Sequence, residues 1–374
     1  MALLLGSISY VSAQEKLLFA GFGFTGTEPG LYPASYSIAQ QKLPLGSAFD
    51  AEFLKRLQTK PAQYARITTA LGEIGKGGQI SVAFALDGEE VEYQKVNDLM
   101  LGNFTIFASI IAFDRETKTL ISAYPFSLSY RSPVAGALGR AGEQEVFRKL
   151  YFTNDFKENV FDTWIDNFSR LNIREKYSKY IQVKDVIIDS DALQITRSQS
   201  GKTEKELKNQ LANYLESELS EANQIPIVPS SIGGVANKMS YRFSNGNVEL
   251  KLPSPDFEIT LTIRGFRTAA AEESNGAITT LYRTLGTIKI EQPESRNIYI
   301  DEKVNATVRV RRPPGVTQEI STWSQYYKAT LSLIRQLSTQ FNKLDSKWLE
   351  ENAARGTDAK DSFVKTSELF KTLK

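Results

Sequence analysis

The chain contains several segments in which apolar and polar residues alternate strictly, and these constrain its fold more than any other feature. Phe257 to Arg264 and Val304 to Arg311 place an apolar residue at every second position. Successive side chains of a strand point to opposite faces, so both segments predict strands with one dry and one wet face. Met239 to Leu252 alternates in the same way around Asn245-Gly246, a strong signal for a tight hairpin. The latter half is therefore predicted to be rich in antiparallel strands.

The N-terminal region mixes strand and helix patterns. Lys16 to Ala20 predicts a strand that enters a glycine-rich turn, and Phe49 to Leu57 has apolar residues at helical spacing. A second short helix is expected around Tyr64, Ile67 and Leu71.

Three strands are predicted next. Ile80 to Leu86 alternates up to Asp87-Gly88, a dipeptide typical of turns, so this strand is expected to end there. Phe104 to Phe113 and Thr119 to Tyr130 flank a polar segment and predict a hairpin. Both faces of the first hairpin strand are largely apolar, so that strand is expected to lie in the centre of a sheet.

The second half repeats the scheme after a stretch of small residues, Gly and Pro. Phe156 to Leu171 predicts a helix with a broad apolar face, and Ile181 to Ile188 predicts a strand. Thr203 and Glu206 form a capping-box pattern that starts a helix of leucines at regular spacing. Thr268 to Thr279 is polar and rich in small residues, which predicts a long exposed loop.

These patterns predict an α+β fold: two α+β domains with mainly antiparallel sheets, plus a long C-terminal amphipathic helix. The first domain is expected over residues 14–131 and a linker over 132–146. The second domain is expected over 147–314, β-rich in its latter half, and a C-terminal helical region over 315–374.

The C-terminal region has apolar residues at alternating spacings of three and four, which predicts one helix of about thirty residues. Leu331, Leu333 and Leu349 widen its apolar stripe, which favours packing on the protein's own sheet over pairing with another chain. The stripe still supplies the candidate interaction residues. These are Ile320, Trp323, Tyr327, Ile334, Leu337, Phe341, Leu344 and Trp348.

The composition excludes several classes of function. The 374 residues include no Cys and no His, which rules out His- or Cys-based catalytic triads, zinc sites of Cys or His, and disulfides. Lys and Arg total 45 against 43 Asp and Glu, so the net charge of +2 gives no long-range attraction for nucleic acid. No apolar run approaches the roughly 18 residues of a membrane-spanning helix. We expect no cofactor, no metal, no nucleic-acid partner and no membrane-spanning segment.

The first residues predict export. Ala2 to Val11 is mostly apolar, and Val11-Ser12-Ala13 has the small-residue pattern of a signal-peptidase site. Residues 1–13 are therefore predicted to be a signal peptide, although no Lys or Arg precedes the apolar stretch and the stretch is short.

Two motif-like strings are better explained by local structure. Residues 21–26 match the dinucleotide pattern G-x-G-x-x-G, but Pro29, Gly30 and Pro33 interrupt the helix that such a site requires. Ser200-Gly201-Lys202-Thr203 resembles the end of a phosphate-binding loop, but Thr196 stands where the first glycine is needed. We expect a tight turn or a bulge that uses glycine at the first string and a helix cap at the second.

Carboxylates are the main remaining source of chemistry. Asp185, Asp189 and Asp191 cluster after a strand and could supply the acid and base of a glycosidase, but turn formation is the more common role of such residues. The acidic run Asp87, Glu89, Glu90 and Glu92 could hold a hard cation, although a solvated strand face explains it better. A Ser362-Lys365 pair is discounted because it lies in a charged tail that is expected to fray.

The leading hypothesis is a non-enzymatic exported component of the periplasm, the cell surface or the extracellular space. It would act in structure or assembly and bind a protein partner or a second copy of itself through exposed strand edges and the C-terminal helix. Two alternatives stay open. One is a carboxylate-dependent hydrolase of extracellular polymer. The other is a glycan-binding module, since aromatic residues make up 11% of the chain.

Overall fold

The computed structural model describes residues 17–25, 34–40, 47–69, 80–96, 99–230, 238–243, 246–272, 276–314 and 321–374. The predicted signal peptide and the predicted helical position of Leu71 lie outside these residues. The predicted α+β class is confirmed: helices and two sheets contribute in similar measure, and a long C-terminal helix is present.

The strands, in chain order, are β1 Leu17–Thr25, β2 Ile67–Thr68, β3 Ile80–Val96, β4 Leu99–Asp114, β5 Thr119–Val134, β6 Ile181–Ile188, β7 Lys238–Phe243, β8 Gly246–Lys251, β9 Phe257–Glu272, β10 Ile278–Gln292 and β11 Asn297–Arg312. The helices are α1 Ser35–Gln40, α2 Ser47–Gln58, α3 Pro61–Tyr64, α4 Gly139–Phe152, α5 Val160–Arg170, α6 Ser190–Ser200, α7 Glu204–Asn223, α8 Thr322–Asn342, α9 Ser346–Asn352 and α10 Lys360–Thr372. A 3₁₀ turn, Gly356–Ala359, precedes α10.

The first sheet has the strand order β2-β1-β3-β4-β5-β8-β7, and β4 is its central strand as predicted. The hairpins β4–β5 and β7–β8 are also confirmed. β7 pairs with β1 as well, so the β7–β8 hairpin connects one margin of the sheet with the other.

Helices α2, α4 and α5 cover one face of this sheet with an aromatic core. The Phe22 ring stacks between Phe49 and Phe84, at centroid distances of 4.4 and 5.1 Å. Trp164 packs edge-on against Phe53 at 4.9 Å. Burial of one such side chain stabilises a fold by roughly 1.5–3 kcal/mol, so this cluster anchors the helices to the sheet.

Of the turn or bulge expected at Gly21, the structure shows an irregularity within a strand, whereas the turn expected at Asp87-Gly88 is wrong. β1 continues through Gly21, which has a φ of +107° at an irregularity in the β1–β3 register, because Phe22 and Phe24 beyond it are buried and pair with β3. β3 continues through Asp87-Gly88, where Asp87 is the extra residue of a β-bulge. Ile67 is likewise not helical, because it lies in β2 and pairs with Leu17 of β1.

The second sheet has the order β11-β10-β9-β6, in which β9, β10 and β11 are antiparallel and β6 is parallel to β9. Helices α6, α7, α8 and α10 cover its dry face. The long loop predicted over 268–279 is wrong, because residues 268–272 pair with residues 278–282 in the strand ladder. Thr268 pairs with Tyr282 in that ladder and shares a 2.5 Å hydrogen bond with the Tyr326 hydroxyl of α8.

Helix α7 lies between the two sheets. Its four regularly spaced leucines are buried in the core of the second sheet, whereas Tyr214 packs edge-on against Phe107 of β4. The predicted capping box is confirmed: the Glu206 amide donates to the Thr203 hydroxyl at 3.2 Å, and the Thr203 amide donates to the Glu206 carboxylate at 2.8 Å.

The single C-terminal helix of the prediction is two helices, α8 and α9. The chain leaves helical geometry at Lys343, and the Asp345 carboxylate accepts from the Lys347 amide at 2.9 Å to cap α9. A strong N-cap inside an apolar stripe thus ends one helix and begins another. The tail beyond is not frayed, since Phe363 and Phe370 of α10 are buried against Phe341.

The predicted linker 132–146 overlaps the end of β5 and the start of α4. Beyond it, Phe147, Leu150 and Tyr151 are buried in the core of the first sheet. The division into residues 14–131, 147–314 and 315–374 stays a prediction. Within the described part of the chain, no helix combines the length and apolarity needed to cross a membrane.

Candidate functional site

A polar cavity of about 470 Å³ lies between the β3 bulge and the start of α7. Two segments that are distant in sequence meet at this cavity, the acidic run of β3 and Ser200-Gly201-Lys202. The cavity is lined by Asp87 to Val91, Ser200 to Lys202, Lys205, Glu206, Asn209, Gln210 and Asn213.

Lys202 organises one wall of this cavity. Its ammonium group forms an ion pair with Glu92 and donates to Gln210 Oε1 at 2.7 Å. Gln210 in turn donates to Glu90 and to the Tyr327 hydroxyl of α8. Lys202 therefore balances the charge of Glu92 at this wall.

Two carboxyl groups of the cavity titrate near neutral pH. Burial raises the pKa of Glu90 to about 8, although the charge of Lys202 opposes the rise. Burial also raises the pKa of Asp87 to about 7, against a 2.6 Å hydrogen bond that the Ser109 hydroxyl donates to it. Groups with such pKa values can exchange protons with a ligand at neutral pH.

Glu216 of α7 carries a third perturbed carboxyl group. Burial raises its pKa to about 8, and the charge of Asp87 adds to the rise. The Ser230 amide donates to its carboxylate at 2.8 Å. The interface between the first sheet and α7 thus contains acidic groups that are protonated in the folded protein at mildly acidic pH.

The acidic run does not form a cation site. Because of the bulge, Glu89 points to the opposite face, where it accepts from the Ala34 amide at 2.9 Å and the Tyr151 hydroxyl at 3.0 Å. Among the described residues, no group of three or more Asp, Glu, His or Cys side chains is placed to hold a metal. Glu89 instead fixes the start of α1 in the aromatic core.

The other sequence candidates lie elsewhere. Asp185 lies within β6, Asp189 precedes α6 and Asp191 lies in its first turn, all outside the cavity lining. Ser362 donates to Glu302 at 2.8 Å, and Lys365 donates to a backbone carbonyl of β11 at 2.7 Å. Ser362 and Lys365 thus help to hold α10 against β11.

The phosphate-loop string is a helix boundary, as expected. Gly201 adopts a φ of +69° and ends α6, and Thr203 caps α7. The cavity itself was missed, because it depends on a bulge in β3 and on helix packing between elements that are about 110 residues apart in sequence. The only local signal was Gly88 inside a strand pattern, which often marks a bulge.

The predicted interaction stripe of the C-terminal region faces inward. The structure places Trp323, Tyr327, Ile334, Leu337, Phe341 and Trp348 in the core of the second sheet, and Leu344 packs against that core. Ile320 lies outside the described residues. Binding of a partner through these side chains would require α8 to leave the sheet, and it stays a prediction.

The outer edge of β11 is a second candidate site. A short antiparallel bridge joins Val304 to Ala353, and the Ala354 amide donates to the Lys303 carbonyl at 2.8 Å. Beyond this bridge, β10 is the only strand of the described chain that pairs with Ala306 to Arg312. We call residues 306–312 the open edge. The opposite margin of the sheet differs, since Val228 bonds to Ile181 of β6 and covers it in part.

Comparisons with known proteins assign no family. No protein-family model matches the chain, and no curated protein matches its sequence. A minor lipoprotein from Acinetobacter baumannii is similar at 13% identity and a TM-score of 0.21, over 44% of this chain and 90% of that chain. A DUF330 protein from Xanthomonas campestris has the same identity and TM-score, over 44% of this chain and 81% of that chain. Similarity at this level carries no argument about function.

Proposed function

We propose that the protein is an exported, non-enzymatic binding component that recruits a protein partner through the open edge of β11. The observation that carries the proposal is a strand edge with no paired strand among the described residues, at the margin of a sheet whose other margin is partly covered. Export rests on the apolar stretch Ala2 to Val11 and the small residues that follow it.

The backbone of the open edge is oriented for strand addition. The Lys303 carbonyl points away from β10, because it accepts from Ala354. Backbone groups alternate in direction along a strand, so those of Thr307, Arg309 and Arg311 point outward as well. Ala353 already pairs with Val304 of this strand. An extended segment of a partner would pair with the residues of β11 that follow Val304.

A proline substitution tests the edge without breaking the sheet. Thr307→Pro removes an amide that points outward and leaves the ladder to β10 with its donors. We expect this variant to fold and to lose the partner that co-purifies with the wild-type protein from its own host. Thr307→Ala is the matched control, since it keeps the amide and should retain the partner.

Mass spectrometry of the same preparations reads the N-terminus. A mature chain that begins at Gln14 supports export, whereas an intact Met1 contradicts it. A folded Thr307→Pro protein that keeps a stoichiometric partner would rule out the open edge as the binding site.

The cavity favours a second candidate function, a carboxylate-dependent hydrolase. Asp87 and Glu90 line one cavity, and hydrolysis of a glycosidic bond needs one carboxyl group as acid and another as base or nucleophile. Asp87→Asn and Glu90→Gln should then each lower turnover of an extracellular polysaccharide by about 100-fold or more. A wild-type protein that releases no reducing ends from any polysaccharide tested would eliminate this function.

A further inference from the structure

We infer that the partner segment is an extended polypeptide in which acidic and apolar residues alternate. This inference rests on the proposed function, because it describes what would pair with the open edge. It is carried by the side chains around the open edge, which differ in chemistry between the two faces of the sheet.

Arginines dominate the wet face beside the open edge. Arg309 of β11 is exposed, and its register neighbour on β10 is Leu281. Two residues beyond Leu281 on the same face of β10, Arg283 lies beside Arg267 of β9, and both arginines are exposed. These three guanidinium groups therefore belong to adjacent rows on one face of the sheet.

None of these three arginines has a carboxylate partner among the described residues. Arg283 donates to the Thr307 hydroxyl at 3.0 Å, and Arg267 donates to a backbone carbonyl at 2.9 Å. The far end of the same face is balanced, since Lys184 pairs with Glu258 and Lys289 with Glu291. Arg309 on β11 and Arg283 on β10 thus offer positive charge close to the open edge, where an added strand would bring carboxylates within reach of Arg309.

The dry face of the open edge has the opposite chemistry. Val308 and Val310 alternate with the arginines and are only partly buried. A strand paired with β11 would lie beside these valines and cover them. Because side chains alternate between faces, the added strand needs carboxylates toward Arg309 and apolar side chains toward the valines.

Arginine residues on an edge strand also discourage aggregation, and that role alone would require no ligand. The two explanations differ in one respect. Protection of an edge predicts that every added strand is disfavoured, whereas a binding site predicts that an acidic alternating strand is accepted and a basic one is rejected.

Fluorescence anisotropy with short labelled peptides tests the inference on the full chain. The first probe alternates Glu and Val over eight residues, the second alternates Lys and Val, and the third has the composition of the first with its four Glu in one block. We expect the first peptide to bind, the second not to bind, and the third to bind at least tenfold more weakly.

Variants locate the site. Arg309→Glu should weaken binding of the Glu-Val peptide by about tenfold, because it replaces an attraction by a repulsion, and 0.3 M salt should weaken binding to the wild-type protein. Thr307→Pro should abolish it. Arg115→Glu, an exposed charge reversal in the β4–β5 turn, is the matched control and should bind like the wild type.

The outcomes separate this inference from the proposed function. Equal binding of the Glu-Val and Lys-Val peptides, equal binding of the block peptide, or unchanged binding to Arg309→Glu would each overturn it. Absence of binding by the Glu-Val peptide would overturn it as well. In any of these cases, loss of the native partner from Thr307→Pro would still support the open edge as a protein-binding site.

Discussion

Glu216→Gln should change how the stability of the protein depends on pH. Glu216 is 5% exposed, and the pKa of its carboxyl group, about 8, lies well above the ordinary value of 4.5. The folded protein therefore keeps this group protonated at a pH where the unfolded chain ionises it. Its contribution to stability is complete below about pH 4.5 and is lost as the pH rises through about 8.

The magnitude follows from the two pKa values. Each pKa unit corresponds to about 1.4 kcal/mol, so a rise from 4.5 to about 8 gives an upper bound of about 5 kcal/mol. Asp87 titrates together with Glu216 and shares part of this cost. We therefore expect Glu216→Gln to raise the free energy of unfolding by about 2–4 kcal/mol at pH 8.5 and to change it little at pH 4.5.

Glutamine suits this test because its side-chain oxygen can still accept the 2.8 Å hydrogen bond from the Ser230 amide. Urea unfolding between pH 4.5 and 8.5, followed by circular dichroism, measures the effect. Glu175→Gln, at an exposed position between α5 and β6, serves as control and should follow the wild-type curve. Parallel curves for the wild type and Glu216→Gln over the whole range would refute the reasoning.

Two further substitutions test the packing. Gly286→Ala should lower the free energy of unfolding by about 1–3 kcal/mol, because the added Cβ would lie 2.7 Å from Leu333 Cδ2, whereas Gly136→Ala has open space and should be neutral; urea melts compare the two. Asn159→Ala should cost about 2 kcal/mol, since this buried residue caps α5 and donates to the Tyr151 carbonyl at 3.0 Å. An Asn159→Ala protein as stable as the wild type would contradict the assigned cap.

Elements with a strong local pattern could be predicted from the sequence. The alternation in β9 and β11, the β4–β5 hairpin and the capping box of α7 depend on neighbouring residues, and all of them are confirmed. The errors arise where distant contacts override a local signal. Gly21 looked like a turn, but burial of Phe22 and Phe24 beside β3 keeps the strand extended.

The candidate sites show the same limit more clearly. An isolated bulge cannot be located from Asp87-Gly88 alone, so the cavity beside it was not foreseen. The alternation of residues in β11 predicted its two faces correctly, but an open edge is defined by strand order, which is a tertiary property.

The pairing of β1 with β7 has a consequence for how the chain folds. Gly23 and Phe243 are partners although about 220 residues separate them in sequence, so β1 cannot complete its pairing until β7 has been synthesised. Long-range pairing of this kind carries a large loop-closure entropy and slows folding. The amides of β7 should accordingly gain protection from hydrogen exchange later in refolding than those of the local β4–β5 hairpin, so the margin of the first sheet closes last.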